Sequence, residues 1–341
     1  MYYIDYKYTS VLECQSGYLL INRMKEGMRF LLLNEEIYPV KKFKLEKKYT
    51  SVCCTSNGII LSGSNSNEIL EYDYGFTKLE RINCIYTVIN EWEDGTFFAK
   101  NNLSPYWAIL DFDFKFLKNL DFIPKKDIVE KVHPKFQLSI VQTIDSINNK
   151  VGYACIELMS DELLWNYTLE GSPHEFLFFH NYIIIVHTAL GSGQFICLDL
   201  KGNLVWSKEE IGFNFSYNLN HNYLVYQASN VFKIIDAKTG SFLRKKIDLP
   251  DSDNYRVIMS INDGIYYIVR KGDYTERFGK VNIESLEVEW EYPFERHISN
   301  GIKDWFIAFN GKHIINHSYR KGPKIISFDP YSEANIPFRT N

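Results

Sequence analysis

The chain has 341 residues, enough for about two ordinary domains or one large repeat fold. Hydrophobic residues make up 45% and charged residues 23%, which excludes a largely disordered chain, and 24 Tyr and 24 Phe against eight Ala disfavour a helical bundle. A net charge of −4, from 38 basic and 42 acidic residues, argues against a nucleic-acid binder.

In chain order, residues 2–8 alternate weakly and read as a strand able to pair with the last repeat and close a ring. No basic region followed by an apolar run opens the chain, and the most apolar segment, 176–186, is broken by His180 and Asn181. A soluble, cytoplasmic protein with no membrane partner is the expectation. Lys41, Lys42, Lys44, Lys47 and Lys48 read as a solvated strand and turn, with an anionic partner as the alternative. Residues 50–55 alternate like an inner strand and carry the adjacent pair Cys53 and Cys54. With Cys14, Cys84, Cys155 and Cys197 they make six cysteines, none in a CxxC pair, and all read as reduced, buried small hydrophobes. Asn102, Asn166, Asn214 and Asn316 head sequons that read as chance matches. Trp107, next to Pro105 and Tyr106, reads as packing between repeats. Residues 191–193 (GSG) read as a hairpin turn, because a phosphate loop should open a helix.

The repeat unit is clearest at 213–247. Residues 213–219, 222–227, 231–236 and 241–247 read as four short strands, rich in β-branched and aromatic residues and separated by Asn, Gly and Ser. A polar residue closes the third strand of each unit. It stands at Asn34, Asp73, Asp111, Glu157, Asp199, Asp236, Asn282 and Asp329, in steps of 39, 38, 46, 42, 37, 46 and 47 residues. A short acid or amide suits that position because its oxygen can accept backbone N–H groups of the following turn. A period near 42 with four strands per unit predicts an all-β fold, a β-propeller of four-stranded blades forming one domain over 1–341. Eight anchors favour eight blades, and degenerate first and last units leave seven as the alternative. Neighbouring blades must cover one another, since no single repeat can bury both of its faces.

Residues 198–206 (LDLKGNLVW) and 235–240 (IDAKTG) resemble the repeats of quinoprotein-like (PQQ-like) β-propellers. That family's repeat places a Trp seven residues after the Asp. Trp206 matches, Trp165 and Trp290 fall one residue later, and the repeat at Asp236 has Leu243 in the Trp's place. The resemblance, clear over 150–290, implies that these Trp side chains pack between blades. It does not carry a quinone cofactor with it, because the family's dehydrogenases are typically longer, secreted and calcium-bound. The one matching feature is the Cys53–Cys54 pair, since some such enzymes hold an adjacent-cysteine disulfide at the cofactor. The reading here is two core thiols and no cofactor.

No nucleophile elbow or Walker loop is present. His133, His174 and His297, read as leading into innermost strands, and His187, near the end of a second strand, are the candidates for a metal cluster in the central channel. They would serve a metal-dependent sugar lyase or hydrolase, which is the alternative function. The favoured function is non-enzymatic protein binding, as a scaffold or inhibitor, with an immunity-type inhibitor of a toxin as one form by analogy. One rim should carry the turns between second and third strands together with the links between blades. There the loops 251–256, 271–277 and 293–297 offer Tyr255, Arg256, Tyr274, Arg277, Phe294 and Arg296 as anchors for another protein.

Overall fold

The computed structural model describes residues 10–15, 17–63, 67–104, 106–120, 128–133, 135–145, 150–168, 173–189, 192–211, 213–220, 222–228, 231–247, 255–261, 264–271, 274–282, 284–285, 287–293, 307–309, 313–316 and 324–327. These form strands and turns with no helix among them. Two compact units are present. One spans Val11–Ser172 and includes Leu200–Gly202; the other holds Ser10, Pro173–Asp199 and the described residues from Asn203 onward.

In the first unit, each sheet is an antiparallel meander of four consecutive strands. They are β1 (Ser10–Cys14), β2 (Gly17–Met24), β3 (Gly27–Leu33) and β4 (Pro39–Leu45); β5 (Ser51–Cys54), β6 (Ile59–Ser62), β7 (Glu68–Tyr72) and β8 (Lys78–Asn83); β9 (Tyr86–Glu91), β10 (Phe97–Asn101), β11 (Trp107–Leu110) and β12 (Phe116–Asn119); and β13 (Ile128–Val132), β14 (Leu138–Asp145), β15 (Lys150–Glu157) and β16 (Glu162–Thr168). The second unit repeats the pattern. Its sheets are β17 (Pro173–Phe179), β18 (Tyr182–Ala189), β19 (Ser192–Asp199) and β20 (Leu204–Ile211); β21 (Phe213–Asn220), β22 (Tyr223–Ala228), β23 (Val231–Asp236) and β24 (Phe242–Ile247); and β25 (Tyr255–Ile261), β26 (Gly264–Lys271), β27 (Tyr274–Asn282) and β28 (Val288–Pro293). A last sheet has three described strands, β29 (Ile307–Phe309), β30 (His313–Asn316) and β31 (Lys324–Ser327). The N-terminal segment 2–8 and the anchor Asp329 lie outside the described residues.

Alternation along the middle strands builds the core. In β6, Ile59 and Leu61 turn to a cluster shared with Phe30 and Leu32 of the first sheet, whereas Ile60 turns to a cluster shared with Phe97 and Leu110 of the third. In the second unit, Leu224 and Tyr226 of β22 join Phe195 and Cys197, while Val225 joins Tyr267 and Val281. Both faces of these sheets are therefore covered by neighbouring repeats, as a period-2 strand of unbroken apolar character requires. First strands of consecutive sheets lie side by side, β5 with β9 and β21 with β25. Fourth strands are the open edges, and β4 guards its edge with exposed Lys41, Lys42 and Lys44.

A meander places its first–second and third–fourth turns at one end, and its second–third turn with the inter-sheet link at the other. At the former end the anchors do what their chemistry predicts. Side-chain oxygens of Asn34 and Asp73 accept N–H groups of Tyr38 (2.9 Å) and Thr77 (2.7 Å). Asp111 takes Asp113 and Lys115 (2.9 and 2.8 Å), Glu157 takes Met159 and Ser160 (3.2 and 2.5 Å), and Asp199 takes Asn203 (2.8 Å). Asp236 takes Lys238 and Thr239 (3.0 and 2.7 Å), and Asn282 takes Glu284 and Ser285 (2.8 and 3.0 Å).

These anchored turns are also latched to one another. Trp206 Nε1, on β20, donates to the carbonyl of Ala237 in the next turn (3.0 Å). Gly240 of that turn has φ +67°, and a Cβ there would come within 2.7 Å of the Trp206 ring. Within the first unit, Gly202 (φ +83°) presses on Trp165 in the same manner. Where the sequence has no Trp, a Lys takes over: Lys118, seven residues after Asp111, donates to the carbonyls of Leu158 (3.1 Å) and Met159 (2.6 Å), and Lys41, seven after Asn34, donates to the carbonyl of Gly75.

Candidate interaction site

The opposite end is formed by second–third turns and inter-sheet links. In the first unit it holds a cleft of about 550 Å³ lined by Thr50, Thr87, Lys100, Asn101, Asn102, Leu103 and Ser104. Thr50 closes the link into β5, Thr87 lies at the start of β9, and Lys100–Ser104 run from the end of β10 into its turn to β11. An Asx turn shapes that turn: Asn101 Oδ1 accepts the N–H groups of Leu103 (2.8 Å) and Ser104 (3.2 Å). Asn102 is placed by its N–H to the carbonyl of Ile85 (2.9 Å), and its Oδ1 accepts the Thr87 hydroxyl (2.6 Å). The Thr50 hydroxyl donates to the carbonyl of Gly63 (2.8 Å). Gly63 has φ +73°, and a Cβ there would lie 2.0 Å from Thr50 Oγ1 and 2.5 Å from Thr87 Oγ1, so the two threonines converge only over a glycine. Arg23, on β2, adds positive charge beside Thr50, whose carbonyl accepts from Nη2 at 3.1 Å. Lys100 stands over the Trp107 ring, 5.8 Å from its centroid, and Leu103 is 71% exposed at the lip. The lining offers one ammonium, three hydroxyls and two amides as hydrogen-bonding groups.

Of the sequence-derived anchors, Tyr255, Arg256 and Tyr274 lie at the same kind of end in the second unit. Tyr255 and Arg256 open β25 instead of ending a loop. The expected turn over 271–277 is also shorter: Tyr274 opens β27, and Arg277 lies inside that strand, opposite Val269 and Pro293. The Arg277 guanidinium bonds Glu291 Oε2 (2.9 Å), whose other oxygen accepts the Tyr267 hydroxyl (2.6 Å). With side-chain exposures of 17% and 6%, the Arg277–Glu291 pair is part of the sheet's packing, which corrects the reading of Arg277 as a loop anchor. Phe294 and Arg296 lie outside the described residues.

Two of the histidine candidates, His174 on β17 and His187 on β18, lie on paired strands. His133 follows the end of β13 rather than leading into it, and is buried. Its Nδ1 accepts the N–H groups of Lys135 (3.0 Å) and Phe136 (3.1 Å), and its carbonyl accepts Trp92 Nε1 (2.9 Å). That nitrogen shapes the turn that follows β13. His174 lies at an irregularity in β17, between residues paired with His187 and Val186 of β18, and His297 lies outside the described residues. Among the described residues no group of three or more His, Cys, Asp or Glu side chains could hold a metal.

Cys53 and Cys54 are free thiols directed to opposite faces of β5, one into the cluster with the third sheet and the other against the cluster with the first. Burial, followed by the nearby charge of Glu91, pushes the Cys53 thiol up to about 12. A hydrogen bond with Cys14, followed by burial, raises Cys54 as well. Trp107 stacks on Phe98 (4.8 Å, 12°) beside the cluster shared with the fourth sheet, as expected of packing between repeats.

No family model matches the chain, and no curated protein matches it in sequence. Solved structures do. Sqt1 from Saccharomyces cerevisiae superposes with a TM-score of 0.59 at 10% identity, over 96% of this chain and 98% of its own. BamB from Moraxella catarrhalis gives 0.53 at 11% identity, over 96% and 99%. The dihydro-heme d1 dehydrogenase NirN gives 0.52 at 12% identity, over 92% and 73%. At such identities the likeness concerns the fold alone: the chain is a β-propeller.

Proposed function

We propose that this propeller is a protein-binding module, a scaffold or inhibitor acting in the cytoplasm without a cofactor. Its repeats are of the quinoprotein-like type, and each of the eight sheets is one blade of a single domain. The Trp206–Gly240 and Trp165–Gly202 contacts support that repeat type. One observation carries the functional reading: the two ends of the sheets are built for different tasks. Turns at one end are tied by anchors and latched onward by Trp206, Lys118 and Lys41. In the first unit the other end carries the cleft, shaped by the Asn101 turn and by Gly63. Rigid scaffolds present recognition on the end whose loops vary. Tyr255, Arg256, Tyr274, Phe294 and Arg296 are the proposed partner-binding residues of the second unit, because aromatic and Arg side chains concentrate interface energy.

The test uses the purified chain as bait in native lysate, followed by reconstitution with the recovered partner. Stoichiometric complex formation with one protein is expected. A stoichiometric bound metal by elemental analysis, with turnover of a sugar substrate, would overturn the reading.

A further inference from the structure

We infer that the cleft at Thr50, Thr87 and Lys100–Ser104 takes the carboxylate side chains of an acidic segment on the partner protein, an assignment that rests on the protein-binding reading. The argument is a donor and acceptor inventory. The cleft's side-chain acceptors are largely spent internally: Asn101 Oδ1 on two backbone N–H groups and Asn102 Oδ1 on the Thr87 hydroxyl. The Thr50 proton goes to Gly63 and the Thr87 proton to Asn102. The side-chain donors that remain in the lining are the Lys100 ammonium, the Asn102 amide N–H groups and the Ser104 hydroxyl.

Charge points the same way. The lining has one cation and no carboxylate, and Arg23 sits behind Thr50, in a protein whose net charge is −4. A local positive cleft in an acidic protein attracts anions and repels its own kind. Charge-assisted bonds from ammonium and amide donors to a carboxylate are the strong class of hydrogen bond. Leu103 at the lip, 71% exposed, gives a peptide an apolar contact that a bare inorganic anion has no means to use.

The test is a titration of labelled hexaglutamate peptide against the whole chain, with hexaglutamine and inorganic phosphate as comparison probes. Hexaglutamate should bind at least about tenfold more tightly than hexaglutamine, and Lys100→Glu should weaken it at least about tenfold. Lys100→Gln, which removes the charge of an exposed side chain, should weaken it with an unchanged urea midpoint, which guards against misfolding of the first variant. Equal binding of the two peptides, or wild-type binding by Lys100→Glu, would overturn the inference. Displacement by equimolar phosphate would reassign the cleft to a free oxyanion and overturn it too. A partner that still binds Lys100→Glu normally removes the cleft from the interface while the protein-binding reading stands; loss of all partner binding to wild-type chain would sink that reading instead.

Discussion

Asp236 holds one turn through one oxygen, and its removal should be felt there first. Asp236→Ala strips two backbone N–H groups of their acceptor and should cost about 1–2 kcal/mol by urea unfolding, whereas Asp236→Asn keeps the oxygen and should cost about 0.5 kcal/mol or less. Glu71 shows the opposite behaviour. It lies directly across from Glu80 on β8, and burial, then the charges of Glu80 and Glu91, raise its pKa. A carboxyl whose folded pKa exceeds its unfolded one favours the folded state while protonated. That contribution is lost as pH climbs from about 4.3, the unfolded value, through the raised folded value. Glu71→Gln should therefore raise the melting temperature at pH 7, and the gain should vanish near pH 4. A gain that is the same at both pH values would contradict this assignment. The anchors were readable in the sequence because acid or amide before a turn is local chemistry. His133 was not, since nothing in its flanks reports that its ring nitrogen faces back onto Lys135 and Phe136.

Strands and turns differed in how far the sequence disclosed them. The expected 231–236 strand matches β23, and 213–219, 222–227 and 241–247 match β21, β22 and β24 within a residue or two, because apolar alternation and flanking Asn or Gly leave little choice. The left-handed positions in the anchored turns were legible only where they are glycine. Ile37 (φ 63°), Phe76 (φ 56°) and Phe114 (φ 59°) occupy them in the first three sheets, buried to 1–7% exposure. Phe76 stacks on Phe43 of β4 (5.0 Å, 16°), so packing outweighs the backbone's preference there. The Gly–Trp latch makes a sharp prediction at this scale. Gly240→Ala must displace the Trp206 ring and should cost about 2 kcal/mol or more, while Gly95→Ala, with φ +80° but nothing within 4 Å, should cost about 1 kcal/mol. Equal urea midpoints for the two variants would show that the ring contact carries no stability.

Across the whole molecule, the period near 42 residues disclosed the fold, and the expectation that one end of the sheets carries recognition came from the order of turns alone. The cleft itself was hidden. Thr50, Thr87 and Lys100–Ser104 are separated by tens of residues, and Asn102 was visible only as the head of a sequon. Their convergence depends on Gly63 and on how neighbouring sheets meet, which a single sequence does not display. The central claim is that partner binding and structural locking occupy opposite ends. The direct test is the partner's Kd for two double variants, Tyr255→Ala with Tyr274→Ala, and Asp199→Ala with Asp236→Ala. The first pair should weaken binding at least about tenfold at an unchanged urea midpoint, and the second should lower the midpoint while leaving Kd within about twofold. Normal binding by the first pair together with a tenfold loss for the second, measured where both remain folded, would contradict the account.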